Sequence, residues 1–290
     1  MSPNQLGWLQ GSLGMLIFAG SLPATRIAVL DLAPMLLTSA RAVIAGLLAL
    51  LLLAVLRPPR PRRSEWPAVA LTAVGGVIGF PLLTALALET ISATRALVFV
   101  GLLPLCTALW GQWRSGERPG TAFWLCAVIG SACVSGYALA SGEPGHRLGD
   151  GLMVASILLC GMGYAEGASL TRRLGGWQVI SWALVGALPL MALWLLLSWP
   201  TQPLAWSAGA IWSLLYVSVF SMLVGFIFWY RGLALGGIAA VGQLQLLQPF
   251  IGMALAALLL DESISAGMLA AAAAAAVCVG AAKHMAARQR

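Results

Sequence analysis

Charge is what this chain has least of. Only 9% of its 290 residues are Asp, Glu, Lys or Arg, against about 25% in an ordinary soluble domain. One buried core cannot absorb that deficit over such a length, so a soluble enzyme and a polar disordered chain are both excluded. Lys283 is the sole lysine. The two histidines, His146 and His284, sit in polar flanks with no ligand set beside them, so no metal site is expected. The five cysteines (Cys106, Cys126, Cys133, Cys160 and Cys278) are scattered through apolar segments with no CxxC pair, which excludes a disulfide scaffold and a zinc site. No phosphate loop occurs, so ATP is not expected to act on this chain, and no cofactor is expected. The first five residues carry no basic group, and the apolar run that follows is too long for a cleaved signal.

Hydrophobic residues make up 60% of the chain, and they come in runs. A membrane helix needs ~20 mostly apolar residues. About ten such runs can be marked, at 6–29, 34–56, 68–88, 93–113, 121–140, 151–170, 178–198, 208–230, 235–259 and 265–282. The runs are continuous rather than alternating, which argues against a β-barrel. The expected fold is an all-α integral membrane protein of about ten transmembrane helices. The net charge of +7 comes from the flanks of these runs and calls for no nucleic acid. If the N-terminus is cytoplasmic, the cytoplasmic links and tail hold Arg57, Arg60, Arg62, Arg63, Arg114, Arg118, Arg172, Arg173, Arg231, Lys283, Arg288 and Arg290. The opposite face holds Arg26, Arg95 and Arg147. The positive-inside rule then places both termini in the cytoplasm, with the chain in the cell (inner) membrane.

The chain also repeats itself. Leu102-Leu103-Pro104 is followed by Glu117, thirteen residues after the proline; Leu247-Gln248-Pro249 is followed by Glu262 at the same distance. The two copies are offset by 145 residues, half the chain. Thr25-Arg26 and Thr171-Arg172 give a weaker echo at 146. Two five-helix repeats are expected, 1–145 and 146–290. Five is odd, so the second copy would enter the membrane from the other side. Inverted repeats are a common basis of secondary transporters, whose two halves open alternately to either side.

These residues resemble the drug/metabolite transporter superfamily, in its EamA-type branch of ten-helix carriers. Ala93 to Pro104 followed by Glu117, and Ala239 to Pro249 followed by Glu262 and Ser263, resemble the family pattern of small residues, an apolar turn, a proline and a glutamate. Arg41 falls where many members carry an arginine in the second helix, and Phe228-Trp229-Tyr230 before Leu233-Ala234-Leu235 is similar to the eighth. The chain departs from its relatives at Phe18-Ala19-Gly20-Ser21, where many have a tryptophan, at Gly163-Tyr164, where Trp-Ala is common, and at the charges Glu89 and Arg95. The resemblance implies a carrier of small organic metabolites and, as its direction, export.

Several polar residues inside the runs are candidate site residues. Arg41 lies seven residues into the second run, ~10 Å along a helix. A charge there costs at least ~2.5 kcal/mol, so it is either an anchor for a carboxylate or phosphate or a structurally paired arginine. Glu166 is either a proton-coupling carboxylate or a partner of Arg172 or Arg173. Glu89, Arg95, Arg26 and Asp31 form either an external gate of ion pairs or solvated flanks. Gln243, Gln245 and Gln248 put three amides within six residues, costly unless satisfied; they bind substrate or glue helices together. Tyr164, Trp182 and Trp229 are candidates to line an apolar cavity. Trp66, Trp113, Trp177, Trp199 and Trp206 fall at run boundaries, as an aromatic belt would. Pro104 and Pro249 predict kinks or hinges. The GxxxG at Gly7 and Gly11 and the alanine run Ala270 to Ala276 predict close packing, within the bundle or in a homodimer.

The expected function is therefore secondary transport of a small-molecule substrate, amino-acid-like or drug-like, by alternating access across the lipid bilayer. The competing readings are a non-transporting membrane scaffold or sensor, and a membrane-embedded enzyme. An enzyme would need clustered acids, histidines or a nucleophile, which the sequence lacks. A scaffold would usually carry a soluble domain, for which there is no room.

Overall fold

The computed structural model describes residues 1–116, 119–140, 147–201 and 206–260, and beyond these residues 266, 267, 270, 273, 274, 277, 278 and 281. The described residues form nine helical rods and no strand. They are α1 (Pro3–Ala19, continuing as Ser21–Ala28), α2 (Pro34–Leu56), α3 (Arg63–Thr90), α4 (Ala93–Val100 and Leu103–Ser115), α5 (Thr121–Ala140), α6 (Arg147–Leu174), α7 (Gly176–Ser198), α8 (Ala208–Gly236) and α9 (Ile238–Leu259). Six of them, α2, α3, α6, α7, α8 and α9, are long and apolar enough to cross a membrane as single spans. The chain is a multi-pass integral membrane protein. Its outer surface agrees: Leu51, Leu197 and Leu258 are 60%, 76% and 79% exposed, which only a lipid solvent tolerates on this scale. Each rod lies over one of the first nine apolar runs. The residues described in the tenth run are helical, and most of its alanine run lies outside the described residues, as do Glu117 and Glu262.

Local chemistry sets the rod ends. Ser2 caps α1 through the Gln5 N–H at 3.2 Å, and the Gln5 side chain returns the bond. Pro34 opens α2, where a missing N–H costs nothing. Ser207 caps α8 by accepting from the Ala210 N–H at 3.1 Å. The turns from α6 to α7 and from α8 to α9 each use a single glycine, Gly175 and Gly237, both at φ +95°. Any other residue would be strained there.

The irregularities recur in register. A π-helical stretch, Ala73–Gly79, interrupts α3, and another, Tyr216–Val224, interrupts α8. Their starts are 143 residues apart and their ends 145. The turn at Leu102 in α4 recurs at Leu247 in α9, 145 residues on. Both turns fall just before a proline of the repeated motif. A proline ring rejects the carbonyl four residues earlier and offers no N–H, so the α-helical ladder cannot run through it. Packing follows the same pairing: α1 lies on α8, α3 on α6, and α2 on α7.

The glycines of the GxxxG motif are spent inside the bundle. A β-carbon on Gly7 would lie 2.5 Å from the Gly236 nitrogen, and one on Gly232 would lie 2.5 Å from the Gly11 nitrogen. The backbones of α1 and α8 therefore touch. Gly75 and Gly163 do the same for α3 and α6, with a β-carbon on Gly75 falling 2.7 Å from the Gly163 α-carbon.

Candidate functional site

The proline break in α9 carries the three glutamines. Residues Gln243–Leu246 form a 3-10 turn, and Gln243, Gln245 and Gln248 are buried at 0%, 0% and 4% exposure. Among the described residues, neither the nitrogen nor the oxygen of the Gln243 and Gln245 amides has a hydrogen-bond partner, and the Gln248 Oε1 also lacks one. Leaving such groups buried and unsatisfied costs about 1–3 kcal/mol each. Two hydroxyls nearby are in the same condition. Thr107 of α4, whose side chain lies against Gly242, and Ser131 of α5, next to a Gly130 packed on Leu246, are buried with unpartnered oxygens.

An aromatic cluster stands at the same depth. The Tyr164 and Trp229 ring centroids are 5.5 Å apart, and Phe18 stacks on Tyr164 at 6.1 Å. Phe226 touches Phe18, Tyr164 and Tyr230 at 5.1, 5.8 and 5.1 Å. The cluster joins α1 and α8, from opposite halves of the chain, with α6. The α9 break meets it through α1: a β-carbon on Gly11 would reach Val241, Leu244 and Trp229, and one on Gly252 would lie 3.0 Å from the Ala19 carbonyl. Gln245 and Gln248 therefore pass α1 between Gly11 and Ala19, the stretch whose Gly14 packs on Trp229. The Trp229 indole N–H is fully buried and unpartnered. Trp182 is elsewhere, edge-on to Trp66 at 6.0 Å.

Arg41 forms a second polar centre. It is 5% exposed. Its Nη2 donates to the Val217 carbonyl at 3.3 Å and to Ser221 Oγ at 3.5 Å, while Nε has no partner. Both acceptors lie in the π-helical stretch of α8, whose wider turn presents a carbonyl to the side. Ser221 Oγ is 2.7 Å from Ser21 Oγ, and Thr25 donates to the Ser21 carbonyl at 2.7 Å. Among the described residues Arg41 has no acidic partner. Ser21 is ten residues beyond Gly11 on α1, so this centre stands ~15 Å along the axis from Gly11, with the aromatic rings between.

The remaining candidates sit at the two rims. Glu166, 2% exposed, takes both oxygens to Arg114 at the end of α4, the second at 3.2 Å. The expected partners Arg172 and Arg173 are adjacent in sequence, but Arg173 instead reaches Glu65. At the opposite rim Arg95 binds Asp150 in a fork, both bonds 2.9 Å. Arg26 donates to the Leu88 carbonyl. Asp31 accepts from the Ser207 N–H at 2.8 Å, while Glu89 is exposed. Of the four residues read as a gate of ion pairs or as solvated flanks, Arg95, Arg26 and Asp31 thus each hold a different partner, and Glu89 stands exposed. The Ser207 hydroxyl and N–H hold the Asp31 carboxyl below its ordinary range.

Comparison with known proteins supplies the family. A model of the EamA-like transporter family matches residues 5–138 and again 147–282. The chain belongs to the EamA-like transporter family. The match in two segments gives the chain a two-repeat architecture. Among EamA-like relatives, an uncharacterized transporter, YdeK, of Bacillus subtilis (strain 168) is 54% identical over 289 residues, covering 99% of this chain and 100% of that protein. A second uncharacterized transporter of the same organism, YvbV, is 25% identical and covers 86% of this chain and 82% of its own length. A solved crystal structure matches with a TM-score of 0.77 at 20% identity, over 95% of this chain and 97% of that one. It supports the same fold. Family and relatives' names point to a transporter rather than an enzyme.

Sequence reasoning missed Thr107, Ser131, Ser21 and Ser221 as members of the polar centres. Single hydroxyls in membrane helices carry no distinguishing signal, since most bond to their own helix. The repeat offered one hint: Ser21 lies 145 residues before Glu166.

Proposed function

We propose that this EamA-like transporter is a secondary carrier of small organic metabolites, amino-acid-like or drug-like, that exports them across the cell (inner) membrane by alternating access. The observation that carries the reading is the set of buried, unpartnered amides at the broken α9, Gln243, Gln245 and Gln248, which meet the Tyr164 and Trp229 cluster through α1. A site that keeps polar atoms unsatisfied in the resting protein is matched to a ligand that brings both donors and acceptors. The rings supply an apolar wall, and Arg41 supplies a cation for a carboxylate or phosphate. The two halves, 1–145 and 146–290, act as inverted bodies around this site, with both termini cytoplasmic. The recurring π stretches and proline breaks support that symmetry, because they place the softest points of each half at matching positions. Glu166 serves as the proton-coupling group through its bond to Arg114, and Arg26, Glu89 and Arg95 act as gating charges at the opposite rim.

A thermal-shift screen of detergent-purified protein against metabolite classes tests the site. One polar, zwitterionic or anionic class should raise the unfolding midpoint of the wild type and leave Gln245→Leu unmoved, with that variant folded. Equal stabilisation of both proteins would take Gln245 out of the site.

A further inference from the structure

At the arginine-rich rim, away from the polar centres, a cavity of about 520 Å³ opens between α2 and α7. Leu50, Leu53, Ala54 and Val185 make its wall, and Trp182 its inner side. Arg57, Pro58 and Arg60 close it at the rim. Leu50 is 45% exposed to the lipid side, so the wall continues the apolar belt rather than the protein core.

Three features converge on one occupant. The cavity is apolar along its length and doubly cationic at one end, the polarity of a phospholipid with an anionic head. The cations are guanidinium groups, whose planar donor fork matches a phosphate. Among the described residues the Trp182 indole nitrogen, buried beside the cavity, has no hydrogen-bond partner. Arg57 itself is informative. It is the only described non-glycine residue with positive φ, at 43°, and it caps α2 by donating its N–H to the Leu53 carbonyl at 3.0 Å. Glycine is the residue that this cap ordinarily favours. The arginine there is disfavoured by the backbone, so its side chain is the part with something to do.

The geometry points to an anionic phospholipid held between α2 and α7, its phosphate on Arg57 and Arg60 and one acyl chain along Leu50, Leu53, Ala54 and Val185. The site is independent of the transport reading and needs only the membrane setting.

The test is native mass spectrometry of the purified full chain after exposure to equal phosphatidylglycerol and phosphatidylcholine of matched chains. Wild type retains phosphatidylglycerol preferentially. Each arginine contributes on the order of fivefold, so Arg60→Gln loses about that factor, and Arg57→Gly with Arg60→Gln removes the preference. The glycine keeps the left-handed cap, so the double variant unfolds in lipid-free detergent at or above the wild-type midpoint. Arg62→Gln with Arg63→Gln, at the start of α3 and outside the cavity, leaves the preference intact. Excess inorganic phosphate does not displace the lipid. Equal retention of both lipids by wild type, an undiminished preference in the Arg57 and Arg60 variant, or an equal loss in the Arg62 and Arg63 control would each overturn the site. Displacement by phosphate alone would reassign it to a free anion.

Discussion

Arg41 is the most exposed of the candidates to a simple experiment, because its burial is so complete. The guanidinium has a serine and one carbonyl for partners and an idle Nε, while a carboxylate or phosphate would satisfy it better. Arg41→Ala should therefore abolish transport of anionic or zwitterionic cargo while the protein still inserts, as judged by monodisperse elution and helical circular dichroism. Unimpaired transport would make the residue structural. Glu166 is a different case. Its carboxylate is held by a half-exposed arginine, Arg114, so neutralising it strands no buried cation. Glu166→Gln should fold, and its transport should lose its response to a pH gradient; an unchanged response would remove Glu166 as the coupling group. Asp31 sets a background for such pH work. Because its folded value is depressed, its tie to Ser207 is fully present above the ordinary carboxylate range. It is lost only as pH falls through the lowered value. The Asp31 tie should thus be intact from pH 5 to 8, and Asp31→Asn should leave the pH profile of thermal unfolding there unchanged in shape. A profile altered within that window would show that Asp31 titrates higher than its partners imply.

At the scale of elements, the sequence was most legible where a rule is local. Continuous apolar runs marked all nine described rods, and Pro104 and Pro249 marked the two breaks, since a proline acts on its own turn. The π stretches left no such mark. The one in α3 contains Gly75, which has the Gly163 backbone pressed against it. Pairing between distant charges was equally hidden: nothing local separates Arg114 from Arg172 as the partner of Glu166, because only the approach of α4 to α6 decides it. The glycine contacts between α1 and α8 give a prediction at this scale. A β-carbon at position 232 has no room against the Gly11 backbone, so Gly232→Val should destabilise the protein by about 1–3 kcal/mol, read as a lower unfolding midpoint. Gly136 of α5, where a β-carbon meets nothing described within 4 Å, is the control, and Gly136→Ala should not lower the midpoint.

For the whole molecule, the two halves share a plan but not their charges. Arg95–Asp150 and Arg114–Glu166 pin α4 to α6 near both ends. The matching positions 145 residues away are Ala240 and Leu259 on α9, and Gln5 and Ser21 on α1, none of them charged. Among the described residues α9 carries no such clamp at the matching positions, and amide exchange should be faster along α9 than along α4. Breaking both clamps, with Arg95→Gln and Arg114→Gln, should bring α4 toward the rate of α9. Unequal rates in the opposite sense would contradict this. The central claim, that the unsatisfied polar centre at the α9 break is a transport site, is tested most directly by efflux. Proteoliposomes would be preloaded with a mixed metabolite pool, and the released compounds read by mass spectrometry, with and without a pH gradient. Selective release of one polar class by wild type, absent in protein-free vesicles and in folded Gln245→Leu, is the result predicted. Folded wild-type protein that releases nothing beyond empty vesicles, or a Gln245→Leu variant that releases the same class equally well, would contradict it.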